Sequence, residues 1–495
     1  MVDKIISSIK QKLSIVDAWF LLLIVFCFSL LKIPSLVEPY WYGDEGIYEV
    51  IGMAVRSGRV LYQGIWDNKP PLLYLIYALF NGDQFSVRFS SLLFGVAAVI
   101  AFFFLAKKLF SNNRSVYLST IIYGLLFGLP ILEGNIANAE NFMHFPIILG
   151  FYIILSSYQK KNLIPFFISG VLLSLAFLTK IVAVFDFGAL FLTILILKFY
   201  EGSLLRINYR KIFTGFTQEV FFSLGFALPI LLSIIYYFTK GALSDYFRAA
   251  FFQNVGYVGS GNYFLFPMGW LVIKLLLLGL SILLILKFRK KIGVNGVLIF
   301  LWLFFSIFNA LFSAKPWTHY LLVMVPSFSL LLGLLIDSKK ILKITIPIFL
   351  ITFYVVLSNF KFYGKNLAYY SNYFQFVFGN KSVDDYQSFF DRITPRDYSL
   401  AKFILMNTKP SDSIFLWSDS GQIYALTGKL PPGRYIVAYH VTFFKNAIEE
   451  TKKDLARVQP KFIIQTKETP EINNYLASYS LRYKIQGARI YERKL

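Results

Sequence analysis

The sequence predicts an α-helical polytopic membrane protein that ends in a small extracytoplasmic α/β domain. Two observations carry the helical part. The chain is 57% hydrophobic and only 15% charged over 495 residues, with a mean hydropathy of +0.60; a soluble protein of that length needs more surface charge. Runs of about 18 or more mostly apolar residues recur from residue 14 to about 360, each long enough to cross a bilayer core as a helix. A third observation carries the α/β part. After about residue 361 the composition turns mixed, and short β-rich runs alternate with helical patterns.

The candidate spans are roughly 14–36, 85–106, 115–133, 142–158, 163–180, 182–199, 218–239, 268–287, 295–313, 319–336 and 341–360. Lys180 interrupts the apolar stretch where the fifth and sixth are divided. With a cytoplasmic N-terminus, about eleven spans put every basic loop on one side: Lys107, Lys108 and Arg114; Lys160 and Lys161; Lys198, Arg206, Arg210 and Lys211; Lys287, Arg289, Lys290 and Lys291; Lys339 and Lys340. The net charge of +22 therefore reports topology and contact with anionic headgroups, not a nucleic-acid partner. Segments 37–84, 134–141, 240–267, 314–318 and the C-terminal tail fall outside. Lys4, Lys10 and Lys12 before the first apolar run resemble a secretory signal, but the run is long and lacks a small-x-small cleavage site, so it reads as a retained membrane helix. The single cysteine, Cys27, lies in that run and reads as a small core residue.

Residues 70–80 are apolar but too short to span, and read as a re-entrant or interfacial helix with Pro70 and Pro71 in its first turn. The material before it alternates polar and aromatic residues, as amphipathic helices on a membrane surface do. The expected division is a transmembrane domain over 1–360, with 37–84 as its first outer loop, and a soluble domain over 361–495. In the latter, strands are expected at "SIFLW" (413–417), "RYIVAY" (434–439) and "KFIIQT" (461–466), with a helix over 444–459. About 115 residues suffice to bury a core.

Polar residues on the outer side are few and cluster. "YGDEGIYE" supplies Asp44 and Glu45; Asp67, Asn68 and Lys69 precede Pro70-Pro71; "EGNIANAEN" supplies Glu133, Asn138, Glu140 and Asn141. Lys180 ends a span, Arg248, Gln253, Asn254 and Tyr257 lie in the large loop, and "SAKPWTHY" supplies Lys315, His319 and Tyr320. Ionisable groups at the edge of membrane segments are costly, so each is a candidate for function. Each has an ordinary alternative: Asp44 as a helix cap with Glu45 in the first turn, Lys69 snorkelling to headgroups, Glu140 as a cap, His319 as an interface residue. Their joint placement favours function. A phosphate-bearing lipid at that face needs cations for its phosphate and a carboxylate to take a proton from a nucleophile.

The segments "YGDEGIYEV", "DNKPPLLYLI", "ANAENF", "FLTK" and "HYLLVMVP" resemble, in order and spacing over residues 14–360, the polytopic GT-C glycosyltransferases of the protein O-mannosyltransferase and aminoarabinose-transferase type. The resemblance implies a membrane glycosyltransferase, a hexosyl- or pentosyltransferase. It would move a sugar from a polyprenyl-phosphate carrier to a lipid, cell-envelope glycan or protein acceptor at the extracytoplasmic face, with inversion. It implies Asp44 and Glu45 as the catalytic acidic pair, with Asp44 the general base or acceptor-positioning carboxylate and Glu45 structural or acceptor-binding. Lys69, Lys180 and Tyr320 would hold the carrier phosphate, with Arg248 matching only loosely. Asp67, Glu140, Asn138 and His319 would line the cavity or meet the acceptor. Asn68 departs from the pattern, since some relatives carry an acid there, and this bears on sugar preference. Adjacent residues point about 100° apart on a helix, so Asp44 and Glu45 are not expected to share one role.

No D-x-D pair occurs in the outer loops and the chain has three histidines, so no obligatory metal or cofactor is expected beyond the lipid-linked sugar donor. Trp417, Tyr424 and Arg434 are open to two readings, sugar or acceptor contact and core packing. Lys, Ile, Asn and Phe usage favours a prokaryotic plasma membrane. The rival reading is a polytopic transporter or lipid-carrier flippase. A transporter places its charges near the bilayer midplane, often within an internal repeat, whereas here they gather at one face.

Overall fold

The computed structural model describes residues 13–200, 209–444, 446–468 and 470–494. Lys4, Lys10, Lys12 and Arg206 lie outside the described residues, as do the side chains of Lys198, Arg210 and Lys211. A helix stands at each predicted span. Among the described residues, seven helices are long and apolar enough to cross a membrane: Ile15–Leu36, Gln84–Leu109, Ala139–Ser157, Phe216–Thr239, Gly269–Leu311, Thr318–Asp337 and Lys339–Asn359. Ile164–Thr179 and Ile181–Leu197 are shorter apolar helices, and Asn113–Gly128 has sixteen residues. Gly269–Leu311 is 43 residues long and breaks at Gly293 (φ 71°, ψ 175°), where two spans were expected to be separated.

The first helix shows how these elements are fixed. Ser14 caps it by accepting from Asp17 N, and the Asp17 carboxylate returns to Ser14 N, a capping box of about 1 kcal/mol. Asp17 also pairs with Lys107 and accepts from Tyr117 Oη at 2.9 Å. At the other end Lys32 Nζ donates to Gly134 O at 2.6 Å and Asn141 Oδ1 at 3.2 Å. Between these ties one face stays open, with Trp19 69% exposed beside exposed Leu22, Leu23 and Phe26. So broad an apolar face is stable only against lipid.

Deeper in the bundle the helices meet through small residues. A Cβ added at Gly170 would lie 2.0 Å from Phe222 O, and one at Gly225 would lie 2.0 Å from Phe167 O. The helices Ile164–Thr179 and Tyr209–Thr239 are therefore in backbone contact, the arrangement that packing in lipid favours.

One end of the bundle carries the first loop and the C-terminal segment. The helix Gly43–Arg56 lies between Pro71–Leu79 and Gln422–Thr427: a Cβ at Gly52 would be 2.7 Å from the Tyr77 backbone, and one at Gly46 would be 2.7 Å from Gln422 N. Its apolar face (Ile47, Val50, Ile51, Ala54) is buried by protein. This corrects the expectation of a helix lying on the membrane surface. Pro70 is the N-cap of the short helix and Pro71 its first residue, as expected.

The C-terminal segment contains a four-stranded sheet in the order β1-β2-β4-β3, from β1 Ile414–Trp417, β2 Phe462–Gln465, β3 Tyr479–Ile485 and β4 Ala488–Arg493. β1 and β2 pair in parallel and the other contacts are antiparallel. Two of the three expected strands are present. Residues 434–439 are not a strand; they run extended and enter the helix Ala438–Phe443, held by Ala438 N donating to Ser418 O and Trp66 N donating to Arg434 O.

Candidate active site

A cavity of about 510 Å³ opens between the bundle end, the first loop and the C-terminal segment, within the size range of ligand sites. Asp44 enters it from the second residue of Gly43–Arg56. Tyr42 occupies the N-cap and makes no side-chain cap, so Asp44 is not a cap. Its carboxylate accepts from Tyr48 Oη at 2.9 Å, lies 3.5 Å from Lys69 Nζ and is 41% exposed. Lys69 also approaches Asp67 at 3.9 Å and sits 4.7 Å from the Tyr48 ring centre. Asp67 is fixed by Tyr74 Oη at 2.6 Å and Asn68 N at 2.8 Å.

The opposite wall carries a second cation–carboxylate pair. Lys180 is the extended residue (φ −155°, ψ 128°) between two helices. It pairs with Glu140, which stands in the first turn of Ala139–Ser157, and lies 4.5 Å from the Tyr320 ring centre. Tyr320 Oη meets Tyr257 Oη at 3.1 Å, and Trp317 Nε1 donates to the same Tyr257 oxygen at 3.0 Å. His319 lines the cavity with Nδ1 3.1 Å from Glu133 Oε2, an oxygen that also accepts from Tyr42 Oη at 3.0 Å.

These neighbours tune the charges. Burial pushes the Asp44 carboxyl up, but Lys69, His319, Tyr48 and Lys180 outweigh it and hold it below the usual carboxylate range. Burial pushes the Lys69 ammonium down, and Asp44, Asp67 and Glu140 overcome this and raise it. Both groups are therefore held ionised, each neutralised by the other.

Of the residues singled out in the sequence, Asp44, Asp67, Lys69, Glu140, Lys180, His319 and Tyr320 line this cavity together. Glu45 does not. It accepts from Arg88 Nε at 3.0 Å, Arg88 Nη2 at 2.5 Å and Ala137 N at 2.8 Å, and is 2% exposed. This corrects the placing of Glu45 in a catalytic or acceptor-binding role: the ion pair turns it away from the cavity, which leaves it a structural one. Arg248 is also outside the lining. In the turn Arg248–Phe252 the buried residues are Ala249 and Ala250, and Arg248 is exposed. Asn138 is buried off the cavity and only approaches Tyr42 Oη, at 3.5 Å. Trp417 and Tyr424 are core, and Arg434 pairs with Glu450 and Asp245.

Sequence reasoning missed two sets of residues. The first is the buried cluster under Asp44: Arg88 pairs with Glu38 at 3.3 Å as well as with Glu45, and Glu38 accepts from Trp41, Asn135 and Tyr369. An arginine inside an apolar span was the available signal. The second is Trp66, Tyr439, His440 and Phe444, which complete the lining. Among the described residues no group of three or more His, Cys, Asp or Glu converges as a metal site.

Known proteins resemble the chain at three levels. Residues 69–226 match the family model of dolichyl-phosphate-mannose-protein mannosyltransferase. An uncharacterized protein of Aquifex aeolicus (strain VF5) is 28% identical over 205 residues, covering 36% of this chain and 41% of that protein; the match spans about two fifths of the relative's length. The crystal structure of ArnT from Cupriavidus metallidurans bound to undecaprenyl phosphate superposes with a TM-score of 0.54 at 11% identity, over 95% of this chain and 97% of that one. The archaeal oligosaccharyltransferase AglB from Archaeoglobus fulgidus, in complex with an inhibitory peptide and a dolichol-phosphate, gives a TM-score of 0.44 at 12% identity, over 92% of this chain and 70% of that one. The resemblance read from the sequence is borne out: the chain has the GT-C fold and, over residues 69–226, is similar to the dolichyl-phosphate-mannose-protein mannosyltransferase family.

Proposed function

We propose that the protein is a membrane glycosyltransferase that moves a sugar from a polyprenyl-phosphate carrier to a lipid, glycan or protein acceptor at the extracytoplasmic face, with inversion. The observation that carries this reading is the pairing of two lysines, Lys69 and Lys180, with Asp44 and Glu140 around one cavity at the end of an apolar bundle. The sidedness rests on the basic loops, Lys107 to Arg114, Lys160 and Lys161, Lys287 to Lys291, and Lys339 and Lys340, as the cytoplasmic ones. The C-terminal segment then lies outside the plasma membrane of a prokaryote.

In this reading the two lysines are held by carboxylates, Lys69 by Asp44 and Lys180 by Glu140. An entering carrier phosphate competes for Lys69 and Lys180. As Lys69 is drawn towards phosphate it stabilises the Asp44 anion less, and the proton affinity of Asp44 rises towards what a general base needs. Asp44 then takes the proton of the acceptor hydroxyl while that oxygen bonds to the anomeric carbon. The bond from that carbon to the phosphate oxygen breaks, and the electron pair leaves on the polyprenyl phosphate, held by the two ammonium groups. Glu140 receives no share in the proton transfer; its role is to hold Lys180 in place. A lipid-carrier flippase would use the same cations and have no need of a base at Asp44.

The experiment is mass analysis of products after incubating the purified protein with a panel of polyprenyl-phosphate sugars. A glycosylated acceptor is expected. Lys69→Ala should weaken carrier binding on the order of tenfold or more, the scale of one lost charge-assisted contact, while acceptor binding changes little. Unchanged carrier affinity in that variant would remove Lys69 from the phosphate site.

A further inference from the structure

The wall that the C-terminal segment adds to the cavity differs in chemistry from the rest. It supplies Tyr439, His440 and Phe444 and no charged side chain. The rings are ordered: Trp66 meets His440 edge-on at 4.9 Å and Phe444 edge-on at 4.6 Å, and Tyr439 meets His440 edge-on at 4.6 Å. Their placement is secured from several sides. Trp66 N donates to Arg434 O at 2.9 Å, Arg59 donates to the carbonyls of Pro431 and Gly433, and Arg434 pairs with Asp245 at 3.7 Å. The segment is thus tied to the first loop and the loop at 240–267 just where it closes the cavity.

Two polar groups on this wall are unused. His440 is 5% exposed, and its Nδ1 is buried without a hydrogen-bond partner among the described residues, a costly state unless something satisfies it. The Tyr439 ring is 43% exposed, and its hydroxyl makes no hydrogen bond among the described residues. Burial holds the His440 imidazole down to about 4, so it is neutral and offers one donor and one acceptor. The charges that act on it are Asp67, Lys69, Asp44 and Asp419, the first three belonging to the group at which transfer is proposed. An aromatic wall with a neutral imidazole and a phenol suits a polyhydroxylated ring: apolar C–H faces pack on aromatic surface, and hydroxyls pair with neutral polar groups. It does not suit a phosphate, which seeks cations.

Resting on the glycosyltransferase reading above, we propose that Trp66, Tyr439 and His440 form the subsite for the sugar on the carrier and select it. The lysines take the phosphate common to all carriers; this wall reads the part that differs. A sugar-bearing acceptor has the same chemistry, and the test separates the two sources.

The full chain, purified in detergent, is titrated with bare polyprenyl monophosphate and with polyprenyl-phosphate mannose, glucose and arabinose. At least one sugar-bearing carrier should bind more tightly than the bare one. Tyr439→Phe and His440→Gln, which keep side-chain bulk, should each erase that increment, a loss on the order of tenfold, while the bare carrier binds within about twofold of the parent protein. The bare carrier thereby also reports that the variants are folded. An increment that survives in both variants overturns the proposal, and slower transfer alongside it would move the wall to an acceptor sugar. Equal losses for bare and sugar-bearing carriers overturn it as well, since the residues would then be structural. If the parent protein binds bare and sugar-bearing carriers equally, there is no sugar subsite on this wall. If it binds no polyprenyl phosphate at all, the glycosyltransferase reading itself falls.

Discussion

Asp44 and Glu45 adjoin in the sequence and face different surroundings. The 100° step of the helix aims Asp44 at Lys69 and the cavity and Glu45 at Arg88 and the protein interior. Removing one partner of the buried Arg88 pair costs on the order of 3–5 kcal/mol, so Glu45 supports the site by anchoring the helix that carries Asp44. Glu49, one turn further on, is buried with neither carboxyl oxygen hydrogen-bonded among the described residues. Burial, then the neighbouring Glu45, pushes it well above its ordinary 4.5. The folded chain therefore keeps a proton that the unfolded chain releases, and stability falls as pH rises above about 4.5, by up to about 1.4 kcal/mol per unit until the folded group titrates. Glu49→Gln should remove this slope; unfolding midpoints in detergent between pH 5 and 8 would show it. A slope unchanged in the variant would mean that another group causes it. Residues such as Asp44, Lys69 and Lys180 were legible because charge is rare in this chain and theirs stood at loop edges. Tyr439 and His440 were not, because nothing local marks them. They reach the cavity only through ties such as Trp66 to Arg434 and Arg59 to Gly433, the latter 374 residues apart in sequence.

At the scale of elements, legibility followed how local the cause was. The membrane helices announce themselves by length and hydropathy, and the break at Gly293 falls between two apolar runs. β1 and β2 were visible as short β-branched and aromatic runs. Residues 434–439 carry the same signal yet form no ladder, because Tyr435, Ile436 and Val437 are buried in a segment whose backbone is held by loop partners. The hairpin of β3 and β4 went unseen. Its turn uses Gln486 and Gly487, both at positive φ, which suits a tight hairpin but lacks the usual Asn-Gly mark. Helix packing yields a sharper test. Gly170→Ala forces a methyl against Phe222 O, an overpacking expected to cost about 1–3 kcal/mol or more, whereas Gly279→Ala meets open space and should be nearly neutral. Thermal unfolding of both in the same detergent decides; equal midpoints would contradict the close approach of the two helices.

For the whole molecule, the fold divides the work between an apolar bundle and a cap. The bundle presents Lys180, Glu140 and Tyr320, the first loop presents Asp44, Asp67 and Lys69, and the C-terminal segment closes the space with neutral aromatic groups. A lipid-borne substrate fits this division, since its tail belongs with the apolar helices and its headgroup with the polar cavity. The decisive measurement for Asp44 as base compares sugar transfer from a polyprenyl-phosphate donor in the parent protein and in Asp44→Asn at matched levels of folded protein. Transfer should fall about 10²- to 10⁴-fold with carrier binding retained; transfer at the parent rate in Asp44→Asn would exclude Asp44 as the base.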